Sequence, residues 1–61
     1  MFTLTCFNSE NEIVKQREMK DLWWNSYVKA AKKETGFILK QTESTLEFFD
    51  SKTQRLYVLE K

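Results

Sequence analysis

The architecture follows from residues 37–61, which read FILKQTESTLEFFDSKTQRLYVLEK. Apolar side chains alternate with polar ones in three short runs, and polar residues typical of turns separate the runs. The pattern predicts three antiparallel strands joined by tight turns. Apolar residues fall on both faces of these strands, so each face needs something to cover it.

Two predicted turns set the pairing of the strands. A two-residue turn at residues 43–44 places Lys40 opposite Glu47, and opposite charges in such a position are worth about 0.2–1 kcal/mol. The turn residues are not the usual Asn-Gly or Asp-Gly, so a longer loop and a shifted register stay open. A second turn at residues 51–54 pairs Asp50 with Arg55. The other predicted pairs are Thr42 with Thr45, Gln41 with Leu46, Leu39 with Phe48, Ile38 with Phe49, Phe49 with Leu56, Phe48 with Tyr57, Glu47 with Val58, and Leu46 with Leu59.

This pairing sorts the apolar side chains into two predicted faces. A slip of one residue would exchange the faces, because side chains on a strand alternate with a period of two. Either way, both faces are apolar. The first predicted face holds Leu39, Leu46, Phe48, Tyr57 and Leu59, and the second holds Ile38, Phe49, Leu56 and Val58, ringed by Lys40 and Glu47.

One helix is predicted upstream, from about Lys20 to Glu34. Asp21 in its first turn and lysines in its last turn suit the helix dipole, and Gly36 suits a terminator just past its end. Leu22 falls among polar residues. At about 100° per residue, the predicted apolar side holds Met19, Trp23, Tyr27, Ala30 and Ala31, with Trp24 and Val28 at its edge. One helix can cover only one face of a sheet.

Two more strands are predicted before the helix. Phe2, Leu4 and Cys6 alternate with Thr3, Thr5 and Phe7, and residues 8–11 have the composition of a turn. Residues 12–18 predict a second strand, although residues 15–19 could instead lead straight into the helix. The expected fold class is α+β, with one helix packed on a small antiparallel sheet in the order ββαβββ, as one domain of residues 1–61.

Composition limits how such a small fold can be stabilised. The chain has 61 residues, one cysteine and no histidine. A chain of this size buries only about 60% of its unfolded surface, and disulfides, metals or oligomerisation usually help. One cysteine cannot form an internal disulfide, and we expect no metal and no cofactor. The free thiol, the short apolar runs and a start unlike a signal peptide favour a cytoplasmic protein without a membrane span.

Catalytic patterns are weak in this sequence. Cys6 has no histidine to act as its base, and an alternating strand position favours a buried core thiol. A single glycine argues against a phosphate-binding loop. The carboxylate pairs Glu10/Glu12 and Glu43/Glu47 fall in a predicted turn and at a hairpin end, where solvated surface groups are expected. We therefore expect that the chain is not an enzyme.

A nucleic-acid-binding module is one alternative. Phe49 and Ile38 could offer a stacking platform on the sheet. The net charge is only +1, whereas dedicated nucleic-acid-binding domains are usually strongly basic, and a solvated helix face is the commoner explanation for a run of lysines. The residues that this alternative would use are Lys29, Lys32, Lys33, Lys15 and Arg17.

The sequence favours binding another protein. An exposed apolar patch usually marks an interaction site, and here the second predicted face (Ile38, Phe49, Leu56 and Val58) is the main candidate. Self-association into a symmetric homodimer is its simplest use. Leu22, Trp24 and Lys29 are a candidate secondary contact, although Trp24 also suits the core. A short, self-contained chain without active-site chemistry favours an accessory inhibitor or adaptor of the phage or mobile-element kind, and a structural subunit of a larger assembly is a second alternative.

Overall fold

The computed structural model describes the backbone of residues 1–35 and 38–61, and the side chains of residues 1–33 and 38–61. Within these residues the chain forms five strands and one helical segment, in the order ββαβββ. This confirms the predicted α+β fold class, including its second strand. The strands are β1 (Phe2–Phe7), β2 (Ile13–Met19), β3 (Ile38–Gln41), β4 (Thr45–Asp50) and β5 (Arg55–Glu60). They form one sheet in the order β2-β1-β5-β4-β3, with every neighbouring pair antiparallel.

The turn between β1 and β2 is organised by Asn8. Its side-chain Oδ1 accepts hydrogen bonds from the backbone N–H groups of Glu10 at 2.9 Å and Glu12 at 3.0 Å. Asn11 adopts a φ of 64°, a left-handed conformation that asparagine tolerates better than most residues. This local chemistry reverses the chain and allows β2 to pair with β1.

The predicted register of β4 and β5 is confirmed at all five positions, from Asp50 opposite Arg55 to Leu46 opposite Leu59. The hairpin between β3 and β4 also has its predicted turn. The N–H of Thr42 donates to the carbonyl of Thr45 at 2.8 Å, and Thr42 Oγ1 accepts the N–H groups of Ser44 and Thr45. The threonine hydroxyl thus supports a turn that lacks the usual asparagine and glycine.

A bulge in β3 makes part of the predicted register wrong. Lys40 lies opposite Glu47 as predicted, but Ile38 lies opposite Phe48, where Leu39 was expected. The extra residue breaks the alternation of side chains along the strand. Ile38 therefore packs against the core on the helix side, while Leu39 is 63% exposed on the other side. The prediction that placed Ile38 on the second face was wrong.

The helical segment changes pitch twice. It begins as a 3-10 turn (Asp21–Trp23), continues as α1 (Trp24–Ala30) and ends in a π-helical turn (Ala31–Thr35). The predicted extent, Lys20 to Glu34, is close to this. The predicted terminator Gly36 lies outside the described residues.

The predicted helix face was displaced by one residue. Trp24 is 7% exposed and lies in the core, whereas Trp23 is 48% exposed. The count of 100° per residue started at Met19, but the segment enters through a 3-10 turn, which has about three residues per turn. The buried stripe of the helix is accordingly Trp24, Tyr27, Val28 and Ala31, at the i, i+3, i+4, i+7 spacing of one helix face.

The core lies between the helical segment and one face of the sheet. The Phe2 ring meets Trp24 and Tyr27 edge to face, with centroids 5.2 and 6.0 Å apart. Lys61 Nζ lies 4.5 Å from the Trp24 ring centroid, a cation–π contact. Cys6 is buried in this layer, as predicted. The other buried side chains are Leu4, Ala31, Leu46, Phe48 and Leu59.

The two edges of the sheet differ in character. β2 is seven residues long and mostly exposed, and it carries Lys15, Arg17 and Glu18. β3 is four residues long and contains the bulge. The helical segment connects these edges by crossing one face of the sheet. We call that side the helix side and the opposite side the open face.

Candidate functional site: the open face of the sheet

The strand registers arrange the open face in three rows that run across the sheet. The first row is apolar: Phe7 lies between Ile13 and Leu56, and Leu56 lies beside Phe49. Leu39 of β3 lines the same depression as Phe49 and Leu56. We call Ile13, Phe7, Leu56, Phe49 and Leu39 the apolar row. It takes one side chain from each strand and spans about 19 Å at the usual strand spacing.

The other two rows become progressively more polar. The middle row runs through Gln16, Thr5, Val58, Glu47 and Lys40. The third row holds Glu18 and Glu60 on either side of Thr3. The open face therefore grades from apolar at the end near the β1–β2 and β4–β5 turns to acidic at the opposite end.

Turn residues frame the apolar row. A depression of about 550 Å³ has Leu39, Phe49 and Leu56 as its apolar part, and Asn8, Ser9, Asn11 and Ser51 from the two turns line its rim. The Asn8 side chain is held by its hydrogen bonds to the turn backbone. The apolar side chains thus sit on rigid strands inside a polar border, an arrangement typical of protein-binding patches.

Three of the four residues predicted for this surface lie on it. Phe49, Leu56 and Val58 are on the open face and are only partly buried. Ile38 is on the helix side, for the reason given above. Sequence reasoning missed Phe7, Ile13 and Leu39. The alternation Thr3-Thr5-Phe7 already placed Phe7 on the other side of its strand from Leu4 and Cys6. Ile13 and Leu39 both lie beside bulges, which alternation alone does not reveal.

Of the three residues predicted as a secondary contact, two are exposed in the structure and one is buried. Leu22 is 69% exposed and Lys29 is exposed, as their positions on the polar side of the helix predicted. Trp24 is buried against Phe2 and is not available at the surface. Trp23 occupies the exposed position instead, in a groove with Met19, Ser26, Tyr27 and Ala30.

The cations of the nucleic-acid alternative and its proposed stacking platform lie on different sides of the molecule. Lys29, Lys32 and Lys33 are exposed on the helical segment. Lys15 and Arg17 lie opposite Cys6 and Leu4, and therefore on the helix side of β2. Phe49, the proposed stacking platform, is on the open face. A single strand could not stack on Phe49 and follow these cations at the same time.

Titratable groups are mainly at the surface. The carboxylate of Asp21 lies 2.9 Å from the α-amino group of Met1, and this hydrogen-bonded pair lowers the pKa of Asp21. Burial, and then the neighbouring Cys6, raise the pKa of the Tyr57 hydroxyl. Among the described residues, no three cysteine, histidine or carboxylate side chains are grouped as a metal site.

Comparisons with known proteins found no matching family model, no matching curated protein and no matching solved structure. Within the part of the chain that the structure describes, no helix has the length and apolar character needed to cross a membrane.

Proposed function

We propose that this chain is a small, non-enzymatic protein-binding module that docks through the apolar row of its open face. The single observation that supports this is the row itself. Five large apolar side chains, one from each strand, lie together on the face that the helical segment does not cover. Exposed apolar patches with polar rims are typical of protein interaction sites.

A second copy of the chain is the occupant that this surface fits. A two-fold axis parallel to the apolar row would lay the two rows on each other and direct the two acidic rows to opposite ends. An axis parallel to the strands would instead lay the row that holds Glu18 and Glu60 on the same row of the second copy, and like charges in contact are unfavourable. The separation of apolar and acidic rows on the open face therefore favours the symmetric dimer whose two-fold axis runs parallel to the apolar row.

The size of the molecule is compatible with such a dimer. A standard interface buries about 800 Å² per partner, which is about a sixth to a fifth of the 4484 Å² surface of this chain. The Cα atoms span 28 × 22 × 15 Å, and the two longer dimensions match a five-stranded sheet. Burial of the apolar row would also add stability that a chain of this length has difficulty supplying alone.

The same surface could serve a different protein. In that form the chain would act as an accessory inhibitor or adaptor, of the kind common among phage and mobile-element proteins, or as a subunit of a larger assembly. An apolar partner surface with a basic border would complement Glu47 and the acidic row beyond it. Self-association is the version that can be tested with the chain alone.

The test is solution mass by light scattering across a concentration series, on wild type, Phe49→Glu and Leu39→Glu. We expect wild type to approach twice the 7.4 kDa of one chain, and both variants to remain at 7.4 kDa. Leu39 is 63% exposed, so its replacement should leave the fold intact even if Phe49→Glu is destabilising. Circular dichroism checks the fold of each variant.

Leu22→Glu is the matched control, because it places the same charge at a 69% exposed leucine on the helix side. It should dimerise like wild type. A wild-type chain that stays monomeric at every concentration would refute the second copy as occupant. Equal loss of association in Leu22→Glu and Leu39→Glu would refute the apolar row as the docking surface.

A further inference from the structure

Charge is strongly separated between the two sides of the molecule. Among the described side chains, the helix side carries Asp21 and Asp50 as its acidic residues, whereas the open face carries Glu18, Glu47 and Glu60 against Lys40. The small net charge of +1 hides this asymmetry. The basic residues of the helix side are Lys15, Arg17, Lys29, Lys32, Lys33, Arg55 and Lys61.

A groove on the helix side runs between the helical segment and β2. One depression is lined by Met19, Trp23 and Tyr27. A second is lined by Lys15, Tyr27 and Tyr57, together with one carboxylate, that of Asp50. Both include Tyr27 and Ala30, so the two depressions lie next to each other along the helical segment, and we refer to them together as the groove. Its strand wall presents Lys15, Arg17 and Met19, alternate residues that point to the same side and span about 14 Å at about 3.4 Å per residue.

Aromatic rings are accessible inside this groove. Trp23 is 48% exposed, and Tyr27 and Tyr57 are partly buried. The helical residues that line the groove include Ser26 and Ala30. The exposed lysines Lys29 and Lys33 each follow one of them by three residues, about one helical turn, and so border the groove. Cationic walls with aromatic stacking positions are the combination by which proteins bind single-stranded nucleic acid without reading its sequence.

We propose that this groove binds single-stranded nucleic acid. Lys15 and Arg17 contact phosphates along one wall, Lys29 and Lys33 do so along the other, and a base stacks on the exposed face of Trp23. A single strand fits better than a duplex, because its bases are free to reach an aromatic ring inside a groove. An acidic peptide would satisfy the cations but would leave the indole without a stacking partner. This site is on the opposite side from the apolar row, so it does not depend on the proposed function.

The test is fluorescence anisotropy of a labelled oligothymidylate titrated with the full chain at several salt concentrations. The logarithm of affinity should fall with the logarithm of salt concentration with a slope of about −3 for the four phosphate contacts, at about −0.7 per contact. Trp23→Ala should weaken binding at least about fivefold, the equivalent of about 1–3 kcal/mol per stacked base. Trp23→Phe, which keeps an aromatic ring, should retain most of the affinity.

Lys15→Glu and Lys40→Glu form a matched pair, because both replace an exposed strand lysine but on opposite sides of the sheet. Lys15→Glu should weaken binding more than tenfold and Lys40→Glu should not. Absence of binding at low salt, or equal weakening by the two variants, would overturn the proposal. The proposal would also be overturned if polyglutamate bound as tightly as oligothymidylate and Trp23→Ala left the affinity for oligothymidylate unchanged. That result would indicate attraction to any polyanion.

Discussion

The two adjacent tryptophans provide the sharpest test of the core. Trp24 is 7% exposed, meets Phe2 edge to face at 5.2 Å and lies beneath Lys61. Replacing a buried tryptophan by alanine costs about 3–5 kcal/mol. At about 0.05–0.15 kcal/mol per residue, the 61 residues have a total stability of about 3–9 kcal/mol. Trp24→Ala should therefore remove most of the stability, while Trp23→Ala, at a half-exposed site, should cost about 1 kcal/mol or less.

The assay is urea unfolding followed by far-ultraviolet circular dichroism, at one protein concentration so that association affects every variant alike. We expect a cooperative transition for wild type and Trp23→Ala, and little or no folded baseline for Trp24→Ala. Trp24→Phe should fall between them, since it keeps an aromatic ring beside Phe2. If Trp23→Ala were as destabilising as Trp24→Ala, the assignment of the buried helix face would be refuted.

Two further predictions concern stability. The pKa of the Tyr57 hydroxyl is raised in the folded protein, so the stability that this group contributes is complete below its ordinary pKa of 10.0 and is lost as pH rises through the folded-state pKa. Urea unfolding on both sides of pH 10.0 should therefore show a loss of stability at alkaline pH that is smaller in Tyr57→Phe. An equal loss in that variant would contradict the assignment. Gln54 has a φ of 59°, a conformation that favours glycine, so Gln54→Gly should raise the free energy of unfolding by about 0.5–1 kcal/mol. Gln16→Gly in β2 is the contrasting control and should lower the free energy of unfolding by a similar amount. A loss of stability in Gln54→Gly would instead show that the hydrogen bond from the Gln54 side chain to the Ser51 carbonyl outweighs the backbone strain.

Sequence reasoning worked where the local pattern was regular. The predicted turn at residues 43–44, supported by opposite charges, correctly placed Lys40 opposite Glu47, and the predicted turn at residues 51–54 led to the correct register along all of β4–β5. The same reasoning identified Phe49, Leu56 and Val58 as members of a face that the helix leaves uncovered.

Sequence reasoning failed where one residue changed the side of the strand or helix on which the neighbouring side chains lie. The bulge between Ile38 and Lys40 put Ile38 and Leu39 on the opposite faces of the sheet from those predicted. No residue type in β3 indicates a bulge. A 3-10 entry turn displaced the helix face from Trp23 to Trp24. The helical pattern placed Trp23 on the apolar side and Trp24 at its edge, whereas in the structure it is Trp24 that packs against Phe2 across the core. The full apolar row also required the non-local pairing of β1 with β5, which follows from the tertiary fold.

The edges of the sheet limit how copies of this chain can assemble. A strand at a sheet edge can template the addition of further strands, and charged residues, bulges and short length are the usual protections against this. β2 has the charged residues and β3 has the bulge and the short length. Lateral growth into a fibril is therefore disfavoured at both ends. In the proposed dimer the open face would be buried in the contact, so self-assembly by this route would stop at a closed pair.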